Sequence, residues 1–108
     1  MLTRKALAQR INSFLRTLLD KGLHIERAVL FGSFAKGTPH EYSDIDLAVW
    51  ADEFAGVSLA DINLYVVELR DHAKISVRPY RSGTTINEDP FLEEILKTGE
   101  EWPLPAKH

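Results

Sequence analysis

Apolar residues near the start of the chain recur at intervals of three and four: Leu7, Ile11, Leu15, Leu18 and Leu19, with Arg10, Arg16 and Lys21 between them. That spacing predicts an amphipathic helix, with Thr3 as its N-cap and Gly22 at its end. Glu26–Phe31 is an apolar run of strand length that halts at Gly32. The stretch from Phe34 to Ser43 contains Gly37 and Pro39 and reads as a short helical turn followed by a loop. From Asp44 to Trp50 the pattern alternates, with Ile45, Leu47 and Val49 on one face of a strand and Asp44, Asp46 and Ala48 on the other. Ser58–Asp61 has the form of a capping box, and Ile62, Val66, Leu69 and Ala73 continue at helical spacing into a second long helix. Lys74–Tyr80 predicts a third strand, which Pro79 marks as an edge or a strand end. Asp89 and Pro90 open a short last helix, with Glu93 and Glu94 at its positive start and Lys97 and Gly99 at its close. The order predicts one sheet covered by helices, of class α/β or α+β.

Composition narrows the picture. A chain of 108 residues, 44% hydrophobic and 27% charged, suits a single domain over 1–108 with one modest core. The formal charge of −3 disfavours a nucleic-acid partner, because no broad basic surface attracts a phosphate backbone. Cysteine is absent, which excludes disulfides and thiolate metal sites and fits a reducing compartment. The first helix is too interrupted by charge to read as a signal peptide or membrane span, so the expected location is the cytoplasm.

Candidate chemistry concentrates where the first strand ends. Gly32 permits close backbone approach, and a strand that opens into a helical turn there presents free N–H groups, to which the Ser33 hydroxyl adds a donor for phosphate oxygens. After ten intervening residues, Ser33 is followed by Asp44 and Asp46. Two carboxylates on one strand face repel each other unless a cation lies between them, and hard oxygen ligands favour Mg²⁺ or Mn²⁺. A metal–triphosphate complex satisfies both halves, and the chemistry it suits is nucleotidyl transfer.

Gly32-Ser33-Phe34-Ala35-Lys36-Gly37 together with Ser43-Asp44-Ile45-Asp46-Leu47-Ala48-Val49 resembles the signature of polymerase-β-type nucleotidyltransferases. In length and element order the chain is similar to their minimal nucleotidyltransferase (MNT) subgroup. The resemblance implies a small mixed sheet flanked by helices, with Asp44 and Asp46 as catalytic metal ligands, Gly32 and Ser33 as the nucleotide-binding turn, and Mg²⁺-dependent use of ATP. It also implies a helical HEPN-type partner protein. Antitoxin members of such pairs transfer AMP to a tyrosine of the HEPN toxin.

Two positions depart from that pattern. Active members place a third carboxylate on the strand after the long helix, and alignment of strand faces puts Ser76 there. Many minimal members carry a basic residue where this chain has Phe34, leaving Lys36 as the nearest positive charge for phosphates. Arg78 shares the predicted face of Ser76 and has three readings: a phosphate contact, a pair with Asp44 or Asp46, or a polar residue on a solvent face. Two functions follow, an Mg²⁺-dependent adenylyltransferase acting on a partner protein, and a catalytically weakened nucleotide-binding or scaffold protein that acts by contact. Transfer to a small-molecule or RNA hydroxyl is a third reading. His24, His40, His72 and His108 form no spaced metal pair, and His40 and Glu41, in the connector over the expected site, are given no role. Phe91, Leu92, Trp102 and Leu104 read as core, or as a surplus that forms a partner interface.

Overall fold

The computed structural model describes residues 3–38, 44–56 and 75–105. Helix α1 (Arg4–Asp20) leads into β1 (Ile25–Phe31), a single helical turn α2 (Ser33–Lys36) and β2 (Ile45–Ala51). After the connection come β3 (Ile75–Arg81), helix α3 (Phe91–Thr98) and a short strand β4 (Glu100–Trp102). The strands lie in the order β3-β2-β1-β4. β1 runs antiparallel to both β2 and β4, while β2 and β3 are parallel, so the sheet is mixed and the class is α+β. A parallel pair cannot be closed by a tight turn and needs a long crossover. The second long helix predicted over Ser58–Ala73 falls in that connection and lies outside the described residues, as do His40, Glu41, His72 and His108.

Alternation along the strands sorts the core into two layers. On one face Ala28, Leu30, Leu47, Val49 and Ile75 meet the apolar stripe of α1, whose Leu7, Ile11, Phe14, Leu15 and Leu18 are all buried. On the other face Val29, Ala48, Trp50 and Tyr80 are sealed by Leu92 and Ile95 of α3. The residues of β2 are therefore buried on both sides, apart from Asp46, which is half-buried. Among the described residues no helix is long and apolar enough to cross a membrane.

The predicted helix ends hold. Thr3 accepts the Ala6 N–H at 3.1 Å, and Gly22, just past α1, has φ 105°, which lets the chain turn away. Asp89 caps α3 with its side chain, accepting the Phe91 N–H at 3.0 Å, and its carbonyl accepts from Leu92 N at 3.0 Å. Pro90 follows with helical dihedrals. Pro79 sits on β3, which is an edge strand as its missing N–H requires.

The last strand was not legible in the sequence. β4 is only three residues long, and Trp102, expected as core or partner interface, is buried in the core. It is held by tertiary contacts: the Trp102 indole donates to Asn12 Oδ1 at 2.8 Å, Arg27 clasps Glu101 through Nε and Nη2 at 2.6–2.9 Å, and Arg4 pairs with Glu100.

Two stability outcomes are expected. Leu15→Ala empties a fully buried site between α1 and the sheet and should cost about 2–5 kcal/mol in chemical denaturation. Asp89→Ala removes the cap of α3 and should cost about 1–2 kcal/mol at neutral pH. Partial burial pushes the Asp89 carboxyl up, but hydrogen bonds from Tyr80, the Phe91 N–H and Arg78 outweigh it and hold its pKa below the usual range. Stability from this group is thus complete above the ordinary carboxylate pKa and is lost as pH falls through the depressed one. The gap between wild type and Asp89→Ala should narrow over that acidic window in pH-dependent melts.

Candidate active site

The site is assembled by the pairing of β1 with β2. Their antiparallel register sets Phe31 opposite Asp46, so the next residue, Gly32, arrives beside the Asp46 side chain. Gly32 has φ 75° and ψ −155°, a backbone region open essentially to glycine alone. A methyl group placed on it would overlap the Asp46 carboxylate and lie 3.0 Å from its Cγ. Glycine is required there twice, for the dihedral and for the space.

From Gly32 the chain enters α2. The Lys36 N–H donates to Gly32 O at 3.1 Å and the Thr38 N–H to Ser33 O at 3.0 Å, closing a single turn that ends at Gly37. The first N–H groups of such a turn have no carbonyl before them to bond. Ser33 is half-buried at the start of the turn, and Lys36 is exposed at its end. Among the described residues no ion pair joins Lys36 to Asp44 or Asp46.

Asp44 and Asp46 differ in setting. Asp44 is exposed and lies just before β2 begins, whereas Asp46 is half-buried within the strand. Burial, and then the charge of Asp44, raise the Asp46 pKa above the ordinary carboxylate value. Both effects penalise a bare negative charge, and a bound cation relieves both. Among the described residues no cluster of three or more acidic, histidine or cysteine side chains forms a closed metal cage. Two carboxylates with open coordination nonetheless fit Mg²⁺, which is commonly held by one or two carboxylates together with substrate phosphates and water.

On the other flank of β2, Ser76 stands directly opposite Asp46 in the parallel register, and Arg78 is opposite Ala48. The alignment of faces expected from the sequence is the one observed. Ser76 is exposed. Arg78 pairs with neither Asp44 nor Asp46: its Nη2 lies 3.3 Å from Asp89 Oδ2 and its Nε donates to the Tyr80 hydroxyl at 2.6 Å. The start of α3 meets Arg78 here, and the side chain keeps 42% of its area exposed. Sequence reasoning missed this Arg78–Tyr80–Asp89 cluster. The period-two spacing of Arg78 and Tyr80 held part of the signal, but the approach of Asp89 depends on how α3 packs. A recess of about 270 Å³ lined by Leu19, Leu23, His24, Ile25, Glu26 and Asp52 lies at the opposite end of the sheet and does not serve the carboxylates.

Comparisons with known proteins bear on the family and the fold. No curated protein is a significant match to the sequence. A toxin–antitoxin structure with AMP-PNP is 24% identical, with a TM-score of 0.63 over 92% of this chain and 74% of that one. A Sulfolobus solfataricus protein assigned as a nucleotidyltransferase is 14% identical, with a TM-score of 0.66 over 88% of this chain and 78% of that one. A mutant of the MntA–HpeT toxin–antitoxin is 22% identical, with a TM-score of 0.57 over 92% and 74%. These likenesses speak for the fold. The "Polymerase beta, Nucleotidyltransferase" family model matches residues 13–101, a span that contains the Gly32–Ser33 turn, both carboxylates and all but the last residue of the sheet, and the chain therefore belongs to the polymerase β nucleotidyltransferase family.

Proposed function

We propose that this chain acts as a single minimal nucleotidyltransferase domain that transfers AMP from ATP to a tyrosine hydroxyl of a HEPN-type partner toxin, and so serves as its antitoxin. The observation that carries the reading is the close approach of Gly32 to the Asp46 carboxylate, where an added Cβ would collide with it, and it supports a polyphosphate on the turn beside a cation on the aspartates. The toxin–antitoxin proteins of similar fold support the choice of partner.

In this reading Gly32 and Ser33 receive the polyphosphate, with the Ser33 hydroxyl donating to a phosphate oxygen and Lys36 adding positive charge at the end of the turn. Asp44 and Asp46 would hold Mg²⁺. Bound there, the ion neutralises phosphate charge and favours departure of pyrophosphate. The acceptor oxygen bonds to the α-phosphorus, the bond from that phosphorus to the β-bridging oxygen breaks, pyrophosphate leaves with the electron pair, and the acceptor proton passes to water.

Ser76 supports a second reading. It stands opposite Asp46, where the family resemblance implies a carboxylate in active members, and a hydroxyl cannot supply that charge. A chain so weakened binds nucleotide and restrains its partner by contact alone.

The decisive test incubates the purified chain and a co-expressed HEPN-type partner with Mg²⁺ and ATP labelled at the α-phosphate. Label on the partner is expected, and a stable complex that stays unlabelled favours the scaffold reading. Asp46→Asn should lower transfer at least about a hundredfold, and persistence at the wild-type rate would remove Asp46 from the mechanism. Gly32→Ala should displace the Asp46 carboxylate, cost about 1–3 kcal/mol in thermal unfolding and abolish nucleotide binding. Ser76→Asp should raise the transfer rate if the missing charge limits it; an unchanged rate makes position 76 irrelevant to turnover.

A further inference from the structure

Gly32 and Ser33 flank Asp46 on its β1 side, and β3 lies on the other side of β2. Nucleotidyl transfer is an in-line displacement, so the attacking oxygen and the leaving pyrophosphate stand on opposite sides of the α-phosphorus. With the polyphosphate on the Gly32–Ser33 turn, the acceptor approaches over β3. Ser76 offers no charge there. The next residue on that face is Arg78.

Arg78 is held in place. Tyr80 accepts from its Nε at 2.6 Å, Asp89 lies 3.3 Å from its Nη2, and the guanidinium sits 4.5 Å over the Phe91 ring. Tyr80 is fixed in turn by stacking on Trp50 at 5.1 Å and by donating its hydroxyl to Asp89 at 2.9 Å. The Arg78 side chain still keeps 42% of its area exposed, and its other N–H donors have no partner among the described residues. Phe91 is 43% exposed and meets Phe31 edge-on at 6.2 Å. Phe31 is the residue opposite Asp46. An open aromatic surface bearing a fixed cation thus runs from Arg78 to the carboxylate.

We propose that Arg78 is a catalytic residue on the acceptor side, donating to a phenolic oxygen whose ring packs against Phe91. The proposal rests on the nucleotidyl-transfer reading above. Within the molecule, Arg78 already donates to a phenol oxygen, that of Tyr80. A phenol ionises near pH 10, far more readily than an aliphatic alcohol, and a guanidinium hydrogen bond favours the phenolate further. This compensates in part for the missing charge at Ser76. Tyr80 is a positioning residue, acting through Arg78.

The test uses the full chain in two assays: calorimetric titration with Mg²⁺ and AMP-PNP, and transfer from α-labelled ATP to N-acetyltyrosinamide or N-acetylserinamide. Wild type should label the phenol in preference to the alcohol. Arg78→Gln should lower kcat/KM for the phenol about a hundredfold, and Tyr80→Phe, which keeps the ring, about tenfold, while AMP-PNP affinity stays within about twofold for both. Undiminished transfer in Arg78→Gln, preference for the alcohol, or a loss of AMP-PNP affinity that matches the loss of transfer overturns the proposal. So does a wild type that binds AMP-PNP and labels neither probe. A wild type that also fails to bind AMP-PNP sinks the nucleotidyl-transfer reading itself. Should Arg78→Gln fail to fold, Tyr80→Phe carries the test.

Discussion

The antiparallel register of β1 against β2 is the constraint on which the site and much of the sheet depend. It sets Phe31 opposite Asp46 and delivers Gly32 to the carboxylate, where neither a side chain nor an ordinary dihedral can be accommodated. A slip of one residue would send the side chains of β2 to the opposite faces of the sheet. Asp46 would then enter the layer that α1 fills with leucine, isoleucine and phenylalanine. Hydrophobic burial on that face therefore fixes the position of a polar residue on the other, so the packing of α1 bears on the chemistry without touching it.

The second face is divided between core and site. Val29, Ala48, Trp50 and Tyr80 lie under α3, whereas Asp46 and Ser76, at the end of the same rows, are left at least partly accessible. Asp89 joins the two regions. One of its carboxylate oxygens caps α3 and the other accepts from Tyr80 and Arg78, so helix docking and the orientation of the guanidinium share one side chain. Asp46 is arranged differently. Burial and the charge of Asp44 raise its pKa, so its ionised form weakens the fold.

Elements with strong local patterning were legible in the sequence. The stripe of α1, the apolar run of β1, the alternation of β2, the edge strand marked by Pro79 and the Asp89–Pro90 start of α3 all follow from periods of 3.6 or 2 and from capping chemistry, which are local. The Gly32–Ser33 turn and the paired aspartates were legible for the same reason, since their spacing lies within one strand–turn–strand unit. β4 was not. Three residues carry too short a pattern, and what makes them a strand is the pairing with β1 together with the Trp102 bond to Asn12, far away in the chain.

By itself the sequence determined which residues carry the charge, the glycine and the apolar faces, and hence the fold class, because those properties repeat at the period of each element. Only the tertiary structure decided the partners across elements: that Arg78 turns to Tyr80 and Asp89 and not to the aspartates, and that Phe91 stands against Phe31. The physical reason is that these contacts join segments whose relative placement is set by helix packing and strand order, and no local spacing encodes either.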